Sequence, residues 1–396
     1  MDLCELDLVD MRSGLAARAF SAKELHAAHL RQIDRMEPKV NAFRMRLEEP
    51  TADESVPLSV KDCFDPKALC IQRLRSAAFH FLGRTNTPEM LMNWETFSDA
   101  GGVTRNPWDL SRTPGGSSGG EAAAIAACMS PGGIGSDGGG SIRLPAGLTG
   151  ICGLKPTPGR VPGTGHLPSV GHPGGLLGVI GPMARTVADV RLLFDIVSGH
   201  DDSDPFSIPF QPAKLPALKI GVVEHPVTRL ALPYLNAPFD EFPAQPWQRL
   251  FEVWRFFFLR VNAHLIGFPT PHTAKFLEQD PPTMLEMLEM FAARDALRGR
   301  FLKAMDEFPV LLLPNPGMEA WKIGEFPGVE AMAPLTVANI VGLPALALPI
   351  GLSENGLPLS IQLVAKPWHE ELLFEAGAAI EQARGRFPLA PLVRNS

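Results

Sequence analysis

The sequence predicts an α/β layered fold, because short apolar stretches bounded by turns alternate along the chain with longer amphipathic stretches of helical period. Hydrophobic residues form 45% and charged residues 20% of the 396 residues, which is ordinary for a globular chain and too apolar for a disordered one. Glycine and proline, at 37 and 39 residues, imply many turns between the elements.

The N-terminal part contains one clear helix and one strand. Residues 21–37 have the spacing of an amphipathic helix, and Ser21 with Glu24 has the capping-box spacing that satisfies free N–H groups at a helix start. Pro57–Lys61 is typical of a short strand that ends in a charge.

Glycine dominates the middle of the chain. Two glycine-rich clusters, 115–120 and 132–140, flank an alanine-rich helix predicted at 121–129. Small residues allow the backbone to approach another backbone or a ligand closely. A further helix is predicted over 186–198, where a threonine provides the N-cap.

The C-terminal half alternates loops, helices and strands. Residues 201–245, rich in proline and aspartate, are expected to loop over the surface, whereas 246–305 carry a helical period. The remaining predicted elements are three strands and a final helix: Val310–Leu313, Pro344–Ile350, Leu359–Val364 and residues 370–384.

Charge and cysteine content exclude several classes of protein. The net charge is −7 and no basic stripe is present, so nucleic acid is not an expected partner. Five cysteines without a C-x-x-C pair indicate neither a disulfide framework nor a zinc site, and a reducing compartment, the cytoplasm, is expected. The N-terminus lacks the apolar region of a signal peptide, and no apolar run is long enough for a membrane span.

The segment 135–146 can supply both a nucleophile and an anion site. Consecutive glycines at Gly138, Gly139 and Gly140 can aim several backbone N–H groups at one point, as an oxyanion hole requires. Ser141 ends this glycine run and lies one bond from those donors. A serine needs a base, and the ten histidines show no spacing that marks one as its partner. Lys61 is a candidate base, because desolvation lowers the pKa of a buried lysine.

These motifs resemble those of the amidase signature family, whose members use a serine–cis-serine–lysine triad. The resemblance assigns Ser141 as the nucleophile, Ser117 as the bridging serine in a cis peptide, and Lys61 as the base, and it assigns the oxyanion hole to the N–H groups of Gly138, Gly139, Gly140 and Ser141. The motifs that carry it are Val60-Lys61-Asp62, Gly83-Arg-Thr-Asn86, Gly115-Gly-Ser-Ser-Gly-Gly120, Gly135-Ser-Asp-Gly-Gly-Gly-Ser-Ile-Arg-Leu-Pro-Ala146, Gly153-Leu-Lys-Pro-Thr157 and Gly181-Pro-Met-Ala-Arg185.

The resemblance also implies an α/β/α layered fold around a mixed, twisted central sheet, in a single domain over residues 1–396. Two segments, after Lys61 and after Val223, are shorter than in the family, so the packing that would bury Lys61 is not given by the resemblance. The expected parts of the domain are an N-terminal helical part at 1–55, a signature core at 56–205, a variable substrate-pocket region at 206–308, and C-terminal strands and a helix at 309–396.

The implied function is hydrolysis of the C–N bond of a small-molecule carboxylic amide through an acyl-enzyme, with esters and carbamates as further candidate substrates. Neither a metal nor a cofactor is expected, and a second copy of the chain in a homodimer is an open alternative as a partner. The apolar segments 86–100, 163–180 and 251–270 are expected to form a pocket for an aryl or fatty acyl group.

Three residues near the glycine run are expected to support it. Ser118 either caps the following helix or hydrogen-bonds the catalytic loop. Asp137 is expected to hold the glycine loop through its N–H groups, and Arg143 to pair with a buried carboxylate.

Two other interpretations remain open at this stage. Gly115-Gly-Ser117-Ser-Gly119 also fits the G-x-S-x-G elbow of α/β-hydrolase esterases, which would make Ser117 the nucleophile and requires a strand before it. The shortened segments are also compatible with a catalytically weak or inactive protein that keeps the amidase fold. A P-loop is not indicated, because no G-K-[ST] follows the glycines.

Overall fold

A computed structural model of the chain describes residues 2–49, 52–169, 177–211, 214–243 and 245–394. Residues 170–176, which belong to the expected pocket segment 163–180, lie outside the described residues.

The centre of the structure is a mixed sheet that joins eleven of the strands formed by the described residues. Its order is β1-β3-β2-β6-β8-β7-β12-β13-β11-β9-β10, and β4 pairs with β5 separately. The strands are β1 Phe43–Arg46, β2 Val56–Lys61, β3 Phe79–Thr85, β4 Phe97–Ser98, β5 Gly102–Val103, β6 Gly132–Asp137, β7 Cys152–Lys155, β8 Val179–Ala184, β9 Ile220–Val222, β10 Phe239–Glu241, β11 Val310–Pro314, β12 Ala345–Leu352 and β13 Pro358–Ala365.

Helices cover both faces of this sheet. They are α1 Leu8–Ala16, α2 Ala22–Val40, α3 Leu69–Ser76, α4 Gly119–Ala126, α5 Arg143–Thr149, α6 Val187–Val197, α7 Pro226–Arg229, α8 Trp247–Arg255, α9 Asn262–Ile266, α10 Ala274–Leu277, α11 Met284–Ala304, α12 Ala333–Val341, α13 Glu370–Arg384 and α14 Pro391–Arg394. A π-helical segment, Phe256–Val261, connects α8 to α9.

The burial pattern of β11 shows that the sheet lies between two layers. All five of its residues are buried, and successive side chains enter different hydrophobic clusters. Leu312 belongs to the cluster that includes residues of α1, α3, α6 and α13, whereas Leu311 and Leu313 belong to the cluster that includes residues of α8, α11 and α12. Because neighbouring side chains of a strand point to opposite faces, both faces of the sheet are covered. The predicted α/β/α layered fold is therefore confirmed.

Local sequence signals located several elements correctly. Helix α2 begins after Ser21, and the capping box between Ser21 and Glu24 is present in both directions. Helices α6 and α13 and strands β2, β11, β12 and β13 agree with the predicted positions within one or two residues.

One prediction from local sequence was wrong, and one strand was not predicted. Residues 201–245 are not only surface loop, because β9 is fully buried and pairs in parallel with β11. The glycine cluster 132–140 begins as β6, a buried strand between β2 and β8. Glycine disfavours strands, but a Cβ at Gly133 would collide with the Glu121 carboxylate and the Ser59 carbonyl, so the packing around this strand requires glycine.

In the part of the chain that the structure describes, no helix combines the length and the apolar character needed to cross a membrane.

Candidate active site

The candidate site lies where three parallel strands end at one edge of the sheet. Strand β2 pairs in parallel with both β3 and β6, so their carboxyl ends meet there. Strand β2 ends at Lys61, and β6 ends at Asp137, which leads into the glycine turn and Ser141. The neighbouring pair β6–β8 is antiparallel, so the strand direction changes beside β6. In open α/β sheets, ligands commonly bind in a crevice at the carboxyl ends of the strands.

Lys61 and Ser117 are in direct contact. Nζ of Lys61 lies 2.7 Å from Oγ of Ser117 and 3.0 Å from Oγ of Ser136. The Gly116–Ser117 peptide bond is cis. The side chains of Ser117 and Ser141 both line one cavity of about 200 Å³, and the backbone N–H of Ser118 donates to the Ser141 carbonyl at 3.1 Å. The structure therefore brings all three residues of the expected triad to one place.

Burial makes Lys61 suitable as a base. Its side chain is fully buried, and this desolvation lowers its pKa to about 8, although the nearby Cys63, Asp137 and Glu121 oppose the shift. The short segment after Lys61 does not expose it, because β2 is an inner strand flanked by β3 and β6. A substantial share of its amines is therefore neutral near pH 8 and able to accept a proton.

Asp137 and Arg143 form the buried support beneath the glycine turn. The Asp137 carboxylate accepts from the N–H of Gly140 at 2.8 Å and from the N–H of Ile142 at 3.2 Å. Arg143 donates to both carboxylate oxygens, at 3.0 and 2.9 Å. Burial alone would raise the pKa of Asp137, but the Arg143 guanidinium and its hydrogen bonds hold it well below its usual range. The pair is anchored further by Asn339, whose side chain contacts both partners.

The glycine turn presents three backbone donors. Within the described residues, the N–H groups of Gly138, Gly139 and Ser141 donate to no protein acceptor, whereas the N–H of Gly140 is held by Asp137. Three free N–H groups next to the Ser141 hydroxyl can bind an oxyanion. Gly140 was also expected to contribute a donor, and in this conformation its N–H instead fixes the turn.

Ser118 lies at the start of α4, but its hydroxyl does not cap that helix. It donates to the Ser136 carbonyl at 3.3 Å, on the strand that carries the catalytic turn. The hydroxyl of Ser118 therefore contacts the strand that leads into the glycine turn and does not cap α4.

The cavity beside Ser141 is lined mainly by apolar side chains. Each of the three expected wall segments contributes to it, through residues 90–92, through residues 166–169 and 178–179, and through the π-helical segment and α9. The polar side chains in the wall include Asn262 and His166. Burial lowers the pKa of His166 to about 4, so its imidazole is neutral at pH 7.

Sequence reasoning missed three residues of this site. Ser136 contacts Lys61, and the indole N–H groups of Trp94 and Trp254 donate to the glycine turn. Ser136 belongs to the same motif as Ser141, so the sequence already indicated that it lies near the site. The two tryptophans lie 45 and 116 positions from the glycines they contact, and no local pattern points to them.

The α/β-hydrolase interpretation lacks its structural basis. A nucleophile elbow joins a strand to a helix through a sharp turn. Helix α4 does follow Ser117, but residues 104–118 form only turns, bends and isolated bridges. Ser117 contacts Lys61 through its hydroxyl, as expected of a bridging serine, and it does not follow a strand.

Comparisons with known proteins agree with this architecture. The family model described as Amidase matches residues 59–242 and 268–374. The 6-aminohexanoate-cyclic-dimer hydrolase of Paenarthrobacter ureafaciens is 31% identical over 475 residues, covering 94% of this chain and 93% of that protein. A glutamyl-tRNA(Gln) amidotransferase subunit from Acidothermus cellulolyticus is 31% identical over 486 residues, covering 96% and 95%. A solved structure of 6-aminohexanoate cyclic dimer hydrolase complexed with substrate has a TM-score of 0.83 at 27% identity, covering 99% of this chain and 100% of that one.

The two alignments, at 475 and 486 residues, are longer than the 396 residues of this chain, so the relatives contain stretches without a counterpart here. The family model nevertheless spans most of the chain, including Lys61, Ser117 and Ser141. The chain belongs to the amidase signature family, whose hydrolases act on amide C–N bonds.

Proposed function

We propose that this amidase hydrolyses small, uncharged carboxamides with an apolar acyl group, through an acyl-enzyme on Ser141. The observation that carries the proposal is the 2.7 Å contact between Nζ of Lys61 and Oγ of Ser117, in the wall of the cavity that contains Ser141. A buried amine of lowered pKa, joined to a hydroxyl that can donate and accept, is suited to proton relay.

In the proposed first step, Ser141 Oγ attacks the amide carbonyl while its proton passes to Ser117, whose own proton passes to the neutral Lys61 amine. The tetrahedral oxyanion is held by the N–H groups of Gly138, Gly139 and Ser141. The C–N bond then breaks, and the relay returns a proton to the leaving amine. Water hydrolyses the acyl-enzyme by the same route and releases the carboxylic acid.

The character of the cavity supports an uncharged substrate. Among the described residues that line it, Asp137 is the one with a charged side chain, and Arg143 already neutralises it. A charged substrate would lose its hydration in this cavity without gaining an ion partner. The apolar wall is formed by Met90, Leu91, Met92, Pro168, Val179, Phe258, Leu265 and Ile266.

We therefore expect neutral aryl or alkyl amides to be cleaved with a kcat/KM at least about tenfold above that of charged amides of similar size, since burying an unpaired charge costs more than 1.4 kcal/mol. A panel of p-nitroanilides, fatty amides and carbamates measures this, with each neutral acyl group paired with an ω-carboxylate or ω-ammonium analogue. Equal or better cleavage of the charged members would contradict the proposed substrate class.

A fluorophosphonate probe separates an active hydrolase from an inactive protein with the same fold. The active enzyme should be labelled at Ser141, identified by mass spectrometry of the peptide, and the Ser141→Ala variant should remain unlabelled. Wild-type protein that resists the probe and cleaves no member of the panel would favour the inactive interpretation.

We also expect hydrolysis to be unaffected by EDTA. Among the described residues, no group of three or more His, Cys, Asp or Glu side chains could hold a metal ion, and the proposed oxyanion donors are backbone N–H groups. Activity should be measured after dialysis against EDTA and again after addition of Zn²⁺. Activity that disappears with EDTA and returns with zinc would overturn this expectation.

The cellular compartment remains a prediction. The five cysteines are all free and buried, which supports a reducing compartment such as the cytoplasm.

The homodimer also remains a prediction. Multi-angle light scattering of the purified chain tests it, since a monomer would have the chain mass of 42.8 kDa.

A further inference from the structure

The carbonyl groups of the catalytic glycine turn are held by two tryptophans from outside the signature motifs. The indole N–H of Trp254, on α8, donates to the Gly138 carbonyl at 2.9 Å. The indole N–H of Trp94 donates to the Gly139 carbonyl at 3.0 Å. Both tryptophans are buried, and their ring centroids are 5.7 Å apart. Two buried side chains therefore fix two successive peptide groups of the turn.

These contacts determine where the backbone donors point. In a trans peptide, the carbonyl and the N–H of the next residue point in opposite directions. The bond from Trp254 therefore turns the N–H of Gly139 away from the indole and leaves it without a protein acceptor among the described residues. The bond from Trp94 acts on the next peptide, whose N–H belongs to Gly140 and donates to Asp137.

The aromatic rings also explain why positions 138 and 139 require glycine. A Cβ on Gly139 would collide with the Trp254 ring, and a Cβ on Gly138 would collide with the Phe258 ring. Trp254 and Phe258 stack with their centroids 5.0 Å apart and their planes 20° from parallel. The glycine turn is thus pressed against an aromatic surface, which restricts the movement of its peptide groups.

The same length of chain forms part of the substrate cavity. Helix α8 carries Trp254 and continues through the π-helical segment into α9, and this stretch contributes Phe258, Asn262 and Leu265 to the cavity wall. The acyl-binding wall and the side chain that holds the oxyanion donors therefore belong to one continuous helical stretch.

We propose that Trp254 is a positioning residue for catalysis, which holds the Gly138–Gly139 peptide so that the Gly139 N–H meets the transition-state oxyanion. This inference rests on the proposed function of Ser141. Preorganised donors favour the charge that develops in the transition state over the neutral ground state. Loss of the indole N–H should therefore lower kcat more than it changes KM.

Trp254→Phe tests this, with a p-nitroanilide substrate and with phenylboronic acid as a probe of the tetrahedral state. The probe forms an Oγ–B bond with Ser141, the hydroxyl proton passes to Lys61, and the resulting anionic boronate occupies the oxyanion site. We expect kcat to fall about tenfold to hundredfold, less than the loss of a direct donor. The Ki of phenylboronic acid should rise in parallel, whereas KM should change by less than about threefold.

Trp108→Phe is the matched control, because Trp108 also donates its buried indole N–H to a backbone carbonyl, that of Thr149 at 2.8 Å, away from the glycine turn. It should lose similar stability, as read from the Tm, and keep both kcat and the Ki of phenylboronic acid. If Trp254→Phe does not fold, site-specific 3-benzothienylalanine at position 254 keeps the two-ring shape and removes only the N–H.

Unchanged kcat and Ki in a folded variant without the indole N–H would overturn the proposal, and so would an equal loss in Trp108→Phe. These outcomes require a wild-type enzyme that cleaves the substrate. Absence of wild-type turnover would instead contradict the proposed function, so the two failures are distinguishable.

Discussion

Ser141→Ala is expected to lower kcat for amide hydrolysis by about four to six powers of ten, because residues that act as one unit do not replace a missing nucleophile. The Ser141 hydroxyl makes no hydrogen bond to another described residue, so its removal should shift the Tm by only a few degrees. Initial rates with the best amide of the panel, together with circular dichroism, measure both effects.

Ser130→Ala provides a matched control for this experiment. Ser130 is also buried, but its hydroxyl donates to the carbonyl of Gly132, the first residue of β6, at 2.7 Å and outside the cavity. Its loss should cost about 1 kcal/mol of stability and leave kcat unchanged. Turnover by Ser141→Ala at the wild-type rate would remove Ser141 as the nucleophile, and a loss confined to Ser117→Ala would assign that role to Ser117.

Lys61→Ala is expected to lower kcat/KM by about 10²–10⁴-fold and to remove a specific ionisation from its pH profile. The buried amine has a pKa of about 8, and only its neutral form accepts a proton. In the wild-type enzyme, kcat/KM should therefore rise with pH through about 8 and level off above it. The variant should be slow, with a flatter profile. Rapid hydrolysis at neutral pH by Lys61→Ala would show that this lysine is not the base.

Lys155 is a second buried lysine with a lowered pKa, so a control variant is needed to assign the ionisation in the pH profile. Burial lowers the pKa of Lys155 to about 7, yet its amine donates to the carbonyls of Pro156 and Leu343 and contacts neither Ser117 nor Ser141. Lys155→Met should keep the ionisation near 8. If Lys155→Met removes it instead, the profile reports Lys155.

The role of Lys61 could be predicted from the sequence, but its burial could not. The motif around Lys61 predicted its role, but the short segment after it left its burial undecided. Burial depends on β2 being an inner strand between β3 and β6. That position is set by the pairing of strands distant in sequence, which the local pattern of Pro57–Lys61 does not contain.

Strand β6 shows the limit of local propensity. Its sequence, Gly-Gly-Ile-Gly-Ser-Asp, does not have the pattern of a strand, because glycine weakens strands. In the folded protein, the Glu121 carboxylate and the Ser59 carbonyl occupy the space that a side chain at Gly133 would need. Contacts across the sheet therefore overrode the preference of the segment itself.

The sequence by itself determined the α/β class and the capped helix after Ser21, because short-range patterns of hydrophobicity and capping residues carry this information. It also pointed to Ser141 and Lys61 as candidates for the site, and the resemblance of its motifs to the amidase signature family added Ser117. Only the tertiary structure decided which residues hold the oxyanion donors, since Trp94 and Trp254 reach the glycine turn from distant segments. Hydrogen-bond geometry depends on positions fixed to within fractions of an ångström, and only the packed chain sets those positions.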